Sequence, residues 1–462
     1  AMKTPVRRIV TLVTISLCFA ASSLLWSCGK DKEEADKFPR GGTAEPVEVG
    51  ELTSFRLDNG ITVYLQEEHS HPEIAVEAVY HAGVYHEGEG KLQVSRVLPH
   101  MLIFSPTASF KADEAVKKMK KLGRVNGEVT GVLTHFDYIV SSVELDLVLQ
   151  IEAERLTSVK FNEDQLKKYS KKCQEDLDYI LNNPRTSMTK YGLMAFNQAY
   201  NYKKTSIPIY NGVKNLTVND LERFHRERFG LEGMVLVVAG DFDSEEVTAK
   251  IKELFGSITR DKPTVRKVNP VTEDWTAQWD VPSKVVFLLF PGPYKNDKER
   301  LVLTMFGVYL NQQLQNDQEV YMAAKSTYCS NQIYPVGDIP FFIFIEARAN
   351  KNLQDLQSTV LYATSQAVGK IGEGLYSAMK RNMISFVESS MLESQFNAGQ
   401  VAHYQFISQA ALNIAMKHYV KEGRTTEEFV EFVESITYEE AADFLRTRMV
   451  TENLQTVVIT GE

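Results

Sequence analysis

Alternation and helical periodicity divide the chain into short strands and long amphipathic helices. Residues 61–66 (ITVYLQ) and 73–83 (EIAVEAVYHAG) are apolar and β-branched and predict strands, with Asp58-Asn59-Gly60 as the turn before the first. The segment 112–123 (ADEAVKKMKKLG) carries acids at its start, lysines towards its end and Gly123 as a stop, which predicts a helix. Residues 141–156 (SSVELDLVLQIEAERL) place Leu145, Val148, Leu149 and Leu156 at helical spacing. Residues 163–181 predict another helix, ended before Asn183-Pro184. Further on, 284–290 (KVVFLLF) and 341–349 (FFIFIEARA) predict strands, and long helices follow around 353–371, 375–390 and 396–421.

The pattern repeats. Residues 216–241 (LTVNDLERFHRERFGLEGMVLVVAGD) and 436–461 (ITYEEAADFLRTRMVTENLQTVVITG) correspond at a constant offset: Thr217 to Thr437, Asp220 to Glu440, Phe224 to Phe444, Arg226 and Arg228 to Arg446 and Arg448, and Val237-Val238 to Val457-Val458. Each begins with a Thr-x-x-acid capping box, continues as an amphipathic helix and ends in a β-branched strand. A duplication follows, with homologous α+β domains over 50–255 and 281–462 and a charged, Pro-containing linker over 256–280. Each domain is expected to be an antiparallel or mixed sheet covered by helices.

The 462 residues, 44% hydrophobic and 24% charged, suffice for two or more cores. A net charge of −9 without a basic stripe argues against nucleic acid as a partner. Cys173 and Cys329 are too far apart in sequence to suggest a disulfide framework or a metal knuckle and read as isolated structural thiols. Residues 1–28 read as a targeting segment: Arg7-Arg8, a short apolar run from Ile9 to Ala21, then Leu25-Trp26-Ser27-Cys28. That tetrapeptide resembles a bacterial lipobox with Cys28 as the lipidated residue, although Trp26 is bulky for its place. Residues 29–49, charged and then Gly/Pro-rich, read as a flexible tether whose acidic cluster also resembles a surface-export signal. The expected location is the cell envelope, as an outer-membrane lipoprotein facing the periplasm or the cell surface.

Residues 89–107 (EGKLQVSRVLPHMLIFSPT) have the frame of a zinc-peptidase helix, with Arg96-Val97-Leu98-Pro99-His100 standing where the motif H-x-x-E-H would be. With the opening LDNGITVYLQEEHSHPEIAVEAVYHAG, the segment IEAERLTSVKF and LTVNDLERFHRERFGLEGMVLVVAGDFD, this order resembles the M16 metallopeptidases, the pitrilysin or insulinase-like group that includes the processing peptidases. The resemblance implies a two-domain M16/LuxS-like half of a clamshell. It puts the first zinc histidine on Arg96, the general base on Pro99, the second histidine on His100 and the distant glutamate on Asp176, with Glu175 beside it. An arginine has no lone pair to donate and brings positive charge, and a proline side chain accepts no proton, so no catalysis and no zinc are expected here. A tyrosine and an arginine that contact substrate in relatives fall on Tyr328 and Tyr321, so only the tyrosine is kept. Asn126 falls on a family asparagine near an edge strand that takes peptide, while its Asn-Gly pairing also suits a turn. A rival metal set, His69, His71, His81 and His86, lies within a short stretch but reads as solvated loop histidines.

The resemblance implies a non-catalytic lipoprotein that pairs with an active M16 subunit, or with a second copy of itself, and helps form a peptide-binding chamber. The alternative is a peptide-binding or structural accessory of an outer-membrane complex without a peptidase partner. No Ser/His/Asp or Cys/His arrangement suggests another mechanism.

Overall fold

The computed structural model describes residues 49–87, 93–130, 132–182, 213–262, 274–278, 283–290, 297–329, 341–349, 351–389 and 402–460. The targeting segment with Cys28, the tether, the Asn183-Pro184 stop and the centre of the linker lie outside them. Residues 40–462 form one compact unit.

The first half contains strands β1 (Thr53–Arg56), β2 (Thr62–Glu67) and β3 (Glu73–Tyr80), helices α1 (Val94–Phe104) and α2 (Glu114–Leu122), strands β4 (Arg124–Val129) and β5 (Thr134–Ser141), helices α3 (Leu145–Thr157), α4 (Glu163–Asn182) and α5 (Val218–Arg228), strand β6 (Val235–Gly240) and helix α6 (Ser244–Phe255). The second half contains β7 (Trp275–Gln278), β8 (Val285–Phe290), α7 (Asp297–Asn316), α8 (Gln318–Ala323), β9 (Ala324–Cys329), β10 (Phe341–Ala347), α9 (Leu353–Gly369), α10 (Glu373–Glu388), α11 (His403–Lys421), α12 (Thr426–Glu434), α13 (Tyr438–Arg448) and β11 (Gln455–Thr460).

The two sheets have matching strand orders. The first runs β1-β2-β6-β3-β5-β4 and the second β7-β11-β8-β10-β9. In each, the last strand of its half inserts between a parallel neighbour (β2 or β7) and an antiparallel one (β3 or β8). The helices that precede those strands start on matching capping boxes, Thr217 with Asp220 and Thr437 with Glu440. Strands β4 and β9 close corresponding edges. The sheets are mixed, because a strand returning from a helix enters its sheet parallel to the half's early strand. Apolar runs such as 285–290 and 341–347 are buried along their whole length, as expected of strands covered on both faces.

Local chemistry sets the element ends. Asn59 donates to the carbonyls of Phe255 (2.7 Å) and Ile258 (3.1 Å), tying the first hairpin to the end of α6, and Gly60 takes the turn's left-handed conformation, φ 100°. Gly123 ends α2 for a second reason: a Cβ there would collide with the carbonyl oxygen of Ile139 as the chain enters β4. Arg260, just past α6, donates to Leu156 O and His225 O, at the last turns of α3 and α5, where a cation suits the carbonyl ends of both helices.

One element does not respect the division into halves. Helix α11, from the second half, packs on β3, β6 and β5 of the first sheet. It lies on the face bearing Glu73, Glu77 and Val79, opposite to Tyr80, which points towards α3. The Tyr419 hydroxyl donates to Gly233 O at 2.9 Å, and the Tyr64 hydroxyl meets His418 Nδ1 at 3.0 Å. A boundary drawn from sequence between 255 and 281 cannot foresee this exchange, because it depends on where a long helix lands rather than on local pattern.

Candidate functional site

The motif segment forms α1, and Pro99 sits inside it without ending it. Pro99 removes one backbone donor, yet the helix is anchored ahead of that point. Gln93 caps the start in a left-handed conformation, and the buried Glu87 carboxylate accepts from Ser95 N (3.1 Å) and Ser95 Oγ (2.6 Å). Burial pushes the Glu87 carboxyl up to about 7, against these hydrogen bonds. Arg96 is 6% exposed, and its Nε donates to Gln93 Oε1 at 2.8 Å.

Helix α4 packs along α1. It presents Tyr169, Lys172, Cys173 and Asp176, one face at i, i+3, i+4 and i+7. The Tyr169 ring lies parallel to His100 (centroids 5.8 Å) and stacks on Phe104 (4.8 Å). The Cys173 thiol reaches towards Arg96 O at 3.8 Å. Lys172 and Asp176 both act electrostatically on His100. Glu175 faces away and pairs with Lys171 at 3.6 Å in solvent. Arg96, His100 and Asp176, far apart in sequence, therefore share one site, and Asp176 rather than Glu175 is the carboxylate on that face.

Burial pushes His100 down to about 4, and the charges of Lys172 and Arg96 act the same way against Asp176. The imidazole is neutral at neutral pH. The donor set does not fit a catalytic zinc ion, which takes about three protein ligands and an open position. Here one imidazole and one carboxylate stand with two cations. Among the described residues, no group of three or more His, Cys, Asp or Glu side chains is placed to hold a metal ion. Because the folded pKa of His100 lies below its unfolded value near 6.5, the unfolded chain gains the proton first on acidification. Its contribution to stability should fall from about pH 6.5 and level off below about pH 4. His100→Gln should flatten that part of a melting-temperature profile, and an unchanged profile would show that the imidazole is not desolvated as described.

Asn126 lies within β4, the edge strand of the first sheet, and not in a turn. It pairs across from Asp137, and its Nδ2 donates to Glu128 Oε1 at 3.0 Å. Arg124, Asn126 and Glu128 share one face of β4 with His135 and Asp137 of β5 and Glu77 of β3. His135 is gripped by Glu77 (2.6 Å) and stands 3.6 Å from Glu128. Burial opposes its charge, but those carboxylates outweigh burial and raise its pKa well above the usual value. The other face of β4 packs on α1: a Cβ at Gly127 would come within 3.0 Å of the Phe136 ring and 3.1 Å of Ile103. Strand edge and motif helix are thus joined by direct packing.

Tyr328 lies on the edge strand β9, beside Phe342 (6.3 Å between ring centroids). Tyr321 is exposed on α8, with the Arg348 guanidinium 5.2 Å over its ring. The four clustered histidines do not converge on one point, and they are not all solvated. His69 is exposed and sits between Asp241 (2.8 Å) and Glu67 (3.4 Å). His71 stacks on His403. His81 faces His86 and Tyr419, and burial lowers its pKa. The cause is the crossing of α11, which covers what a local reading takes for open loops. Cys173 and Cys329 are both buried. Sequence reading missed Tyr169 and Lys172, whose signal was their helical spacing from Asp176. It also missed Glu87, which has no spacing signal.

The family described as "Peptidase M16 inactive domain" matches residues 215–382. The zinc protease PqqE of Helicobacter pylori is 28% identical over 210 residues, covering 44% of this chain and 47% of that protein. The probable zinc protease PqqL of Escherichia coli is 23% identical over 231 residues, covering 47% of this chain and 24% of that protein. The chain thus matches half or less of the length of these relatives. Among solved structures, a protease from Helicobacter pylori superposes with a TM-score of 0.66 at 18% identity, covering 89% of this chain and all of that one. An M16 inactive domain from Pseudomonas fluorescens gives 0.63 at 14% identity, covering 89% and 98%. The first half of the periplasmic protease PqqL from Escherichia coli gives 0.59 at 16% identity, covering 90% and 93%. The sequence match to the M16 inactive-domain family lies in residues 215–382, and along most of its length the chain has a fold similar to those of M16-like peptidases.

Proposed function

We propose that the chain is a non-catalytic M16-like subunit that pairs with an active M16 zinc peptidase and supplies one wall of a peptide-binding chamber. The observation that carries this reading is the site on α1 and α4. The positions that would hold zinc and its base carry a buried arginine, a proline, one neutral histidine and one aspartate, while the adjoining edge strand β4 is intact. An added peptide strand needs backbone groups rather than a metal, so binding survives where hydrolysis does not. The match to a family described as inactive supports the same reading. So does size: this chain superposes on 48% of the whole Escherichia coli protease, so a second unit of like size would complete such an assembly. Among the described residues, no helix is long and apolar enough to cross a membrane. Attachment through a lipid on Cys28 is part of the proposal.

The test is to isolate the natural protein in mild detergent, identify what accompanies it, and assay peptide cleavage with and without a zinc chelator. A stoichiometric partner carrying H-x-x-E-H, with chelator-sensitive cleavage that the isolated chain lacks, is expected. Zinc-dependent cleavage by the isolated chain, lost in His100→Ala, would overturn the reading. Transport or assembly proteins without any peptidase would replace it with an accessory role.

A further inference from the structure

Helix α11 enters the first half at His403, and the contacts there differ from the apolar packing that follows. His403 is 6% exposed, and both ring nitrogens meet carboxylates of the first sheet: Nε2 lies 2.7 Å from Glu68 Oε2, and Nδ1 lies 2.7 Å from Glu73 Oε2. Glu68 and Glu73 are themselves 1% and 9% exposed. The His71 ring stacks on His403 with centroids 3.9 Å apart. Ser70 completes the enclosure: its N–H donates to Glu68 Oε1 at 2.7 Å, and its hydroxyl lies 2.8 Å from His71 Nδ1 and 3.4 Å from His403 Nε2.

An imidazole donates from both nitrogens only when it is protonated; the neutral ring would turn a lone pair towards one of the carboxylates. The carboxylates lie on opposite edges of the ring, so they grip a cation and do not converge as metal ligands. A positive charge in the first turn of a helix is opposed by the helix dipole. The attachment must therefore come from Glu68 and Glu73, which as buried anions need a cation in return.

We infer that His403 is a charge-operated clasp that fastens the second half's helix to the first sheet, and that loss of its proton frees the first turns of α11. The groups facing it are Glu68, Ser70 and His71 from the connection between β2 and β3, and Glu73 from β3; the triad of Glu67, His69 and Asp241 lies next to them. Burial opposes the charge on His403, but the hydrogen bonds to Glu68 and Glu73 outweigh it and raise the ring to about 9. His71 is pushed down by burial and by the charge on His403. A histidine raised above its unfolded value stabilises fully below about pH 6.5, and the contribution is lost as pH rises through about 9.

The test is hydrogen exchange on the full chain, corrected for intrinsic rate, from pH 7 to pH 10. In the natural protein, protection of the first two turns of α11 should fall about tenfold or more relative to the core of β8 and β10. His403→Gln should show the weakened state already at pH 7, with no further relative loss, and His403→Lys should recover part of the protection by restoring charge. Unchanged relative protection to pH 10, or natural protection in His403→Gln, would overturn the clasp. If the variants do not fold, the imidazole resonances of the natural protein decide: titration of His403 near 9 supports the clasp, and titration at or below 6.5 refutes it.

Discussion

Glu152→Ala should destabilise the protein by about 3–5 kcal/mol, a large share of the stability of any domain. Glu152 on α3 is completely buried and accepts from the Tyr80 hydroxyl (3.0 Å), the Tyr138 hydroxyl and the Arg155 guanidinium one turn along. Arg155 is 2% exposed and lies 5.1 and 5.3 Å over the Phe136 and Tyr138 rings. Burial pushes the Glu152 carboxyl up and the Arg155 guanidinium down, each towards its neutral form. The surroundings therefore favour neither charge, and the two groups depend on each other. Removing the carboxylate strands a cation in the core and takes the acceptor from two tyrosines. Urea unfolding measures the loss. Glu152→Gln keeps an acceptor and should cost less, and the paired change Glu152→Leu/Arg155→Met should cost less than Glu152→Ala alone because no orphan charge remains. A Glu152→Ala protein within about 1 kcal/mol of the natural one would show that the network is not what holds α3 to the sheet.

The second large effect concerns α1. Arg96→His with Pro99→Glu should take the chain from no stoichiometric zinc to about one ion per molecule, while Pro99→Glu alone, which leaves Arg96 at a ligand position, should not do so. Residues 96 and 100 lie one turn apart on the same face, and Asp176 stands opposite on α4. The first change exchanges a repelling cation for a donor; the second restores a carboxylate and the backbone donor that proline lacks. Metal analysis after dialysis gives the stoichiometry. Zinc at a hundredfold excess over its dissociation constant should also stabilise the double variant by about 2.7 kcal/mol. A folded double variant that takes no zinc would disprove the correspondence of Arg96, His100 and Asp176 with ligand positions. Stoichiometric zinc in the natural chain, lost in His100→Gln, would remove the basis for the non-catalytic reading.

What the sequence made legible was local. The strands expected at 61–66, 73–83, 284–290 and 341–349 appear as Thr62–Glu67, Glu73–Tyr80, Val285–Phe290 and Phe341–Ala347, two of them shorter at their ends, and the capping boxes at Thr217 and Thr437 appear as read, since each depends on side chains within a few residues. The helix expected from 112 begins at Glu114, after Asp113 takes a positive φ, and the one expected from 141 begins at Leu145, because Ser141 still belongs to β5. Residues 124–129 read equally as turn or edge strand; pairing with β5 made them strand. At the site, the broken motif was plain in the order of Arg96, Pro99 and His100. Its surroundings were not, since Tyr169, Lys172 and Glu87 come into place only through packing of α4 and the loop before α1. The environment of the clustered histidines was hidden more deeply, because it depends on a helix more than three hundred residues away.

The crossing of α11 also sets a timetable for synthesis. The first sheet receives its last strand at Gly240, but the helix that covers one of its faces begins at His403. At ordinary elongation rates that helix leaves the ribosome on the order of ten to thirty seconds after the sheet is complete. For that interval Ala75, Val79, Val235 and Val237 on the waiting face have no cover from α11, and Glu68 and Glu73 have no imidazolium. A nascent chain stalled between those two points is the species a holding chaperone would meet, and releasing it beyond residue 421 is what would let it go.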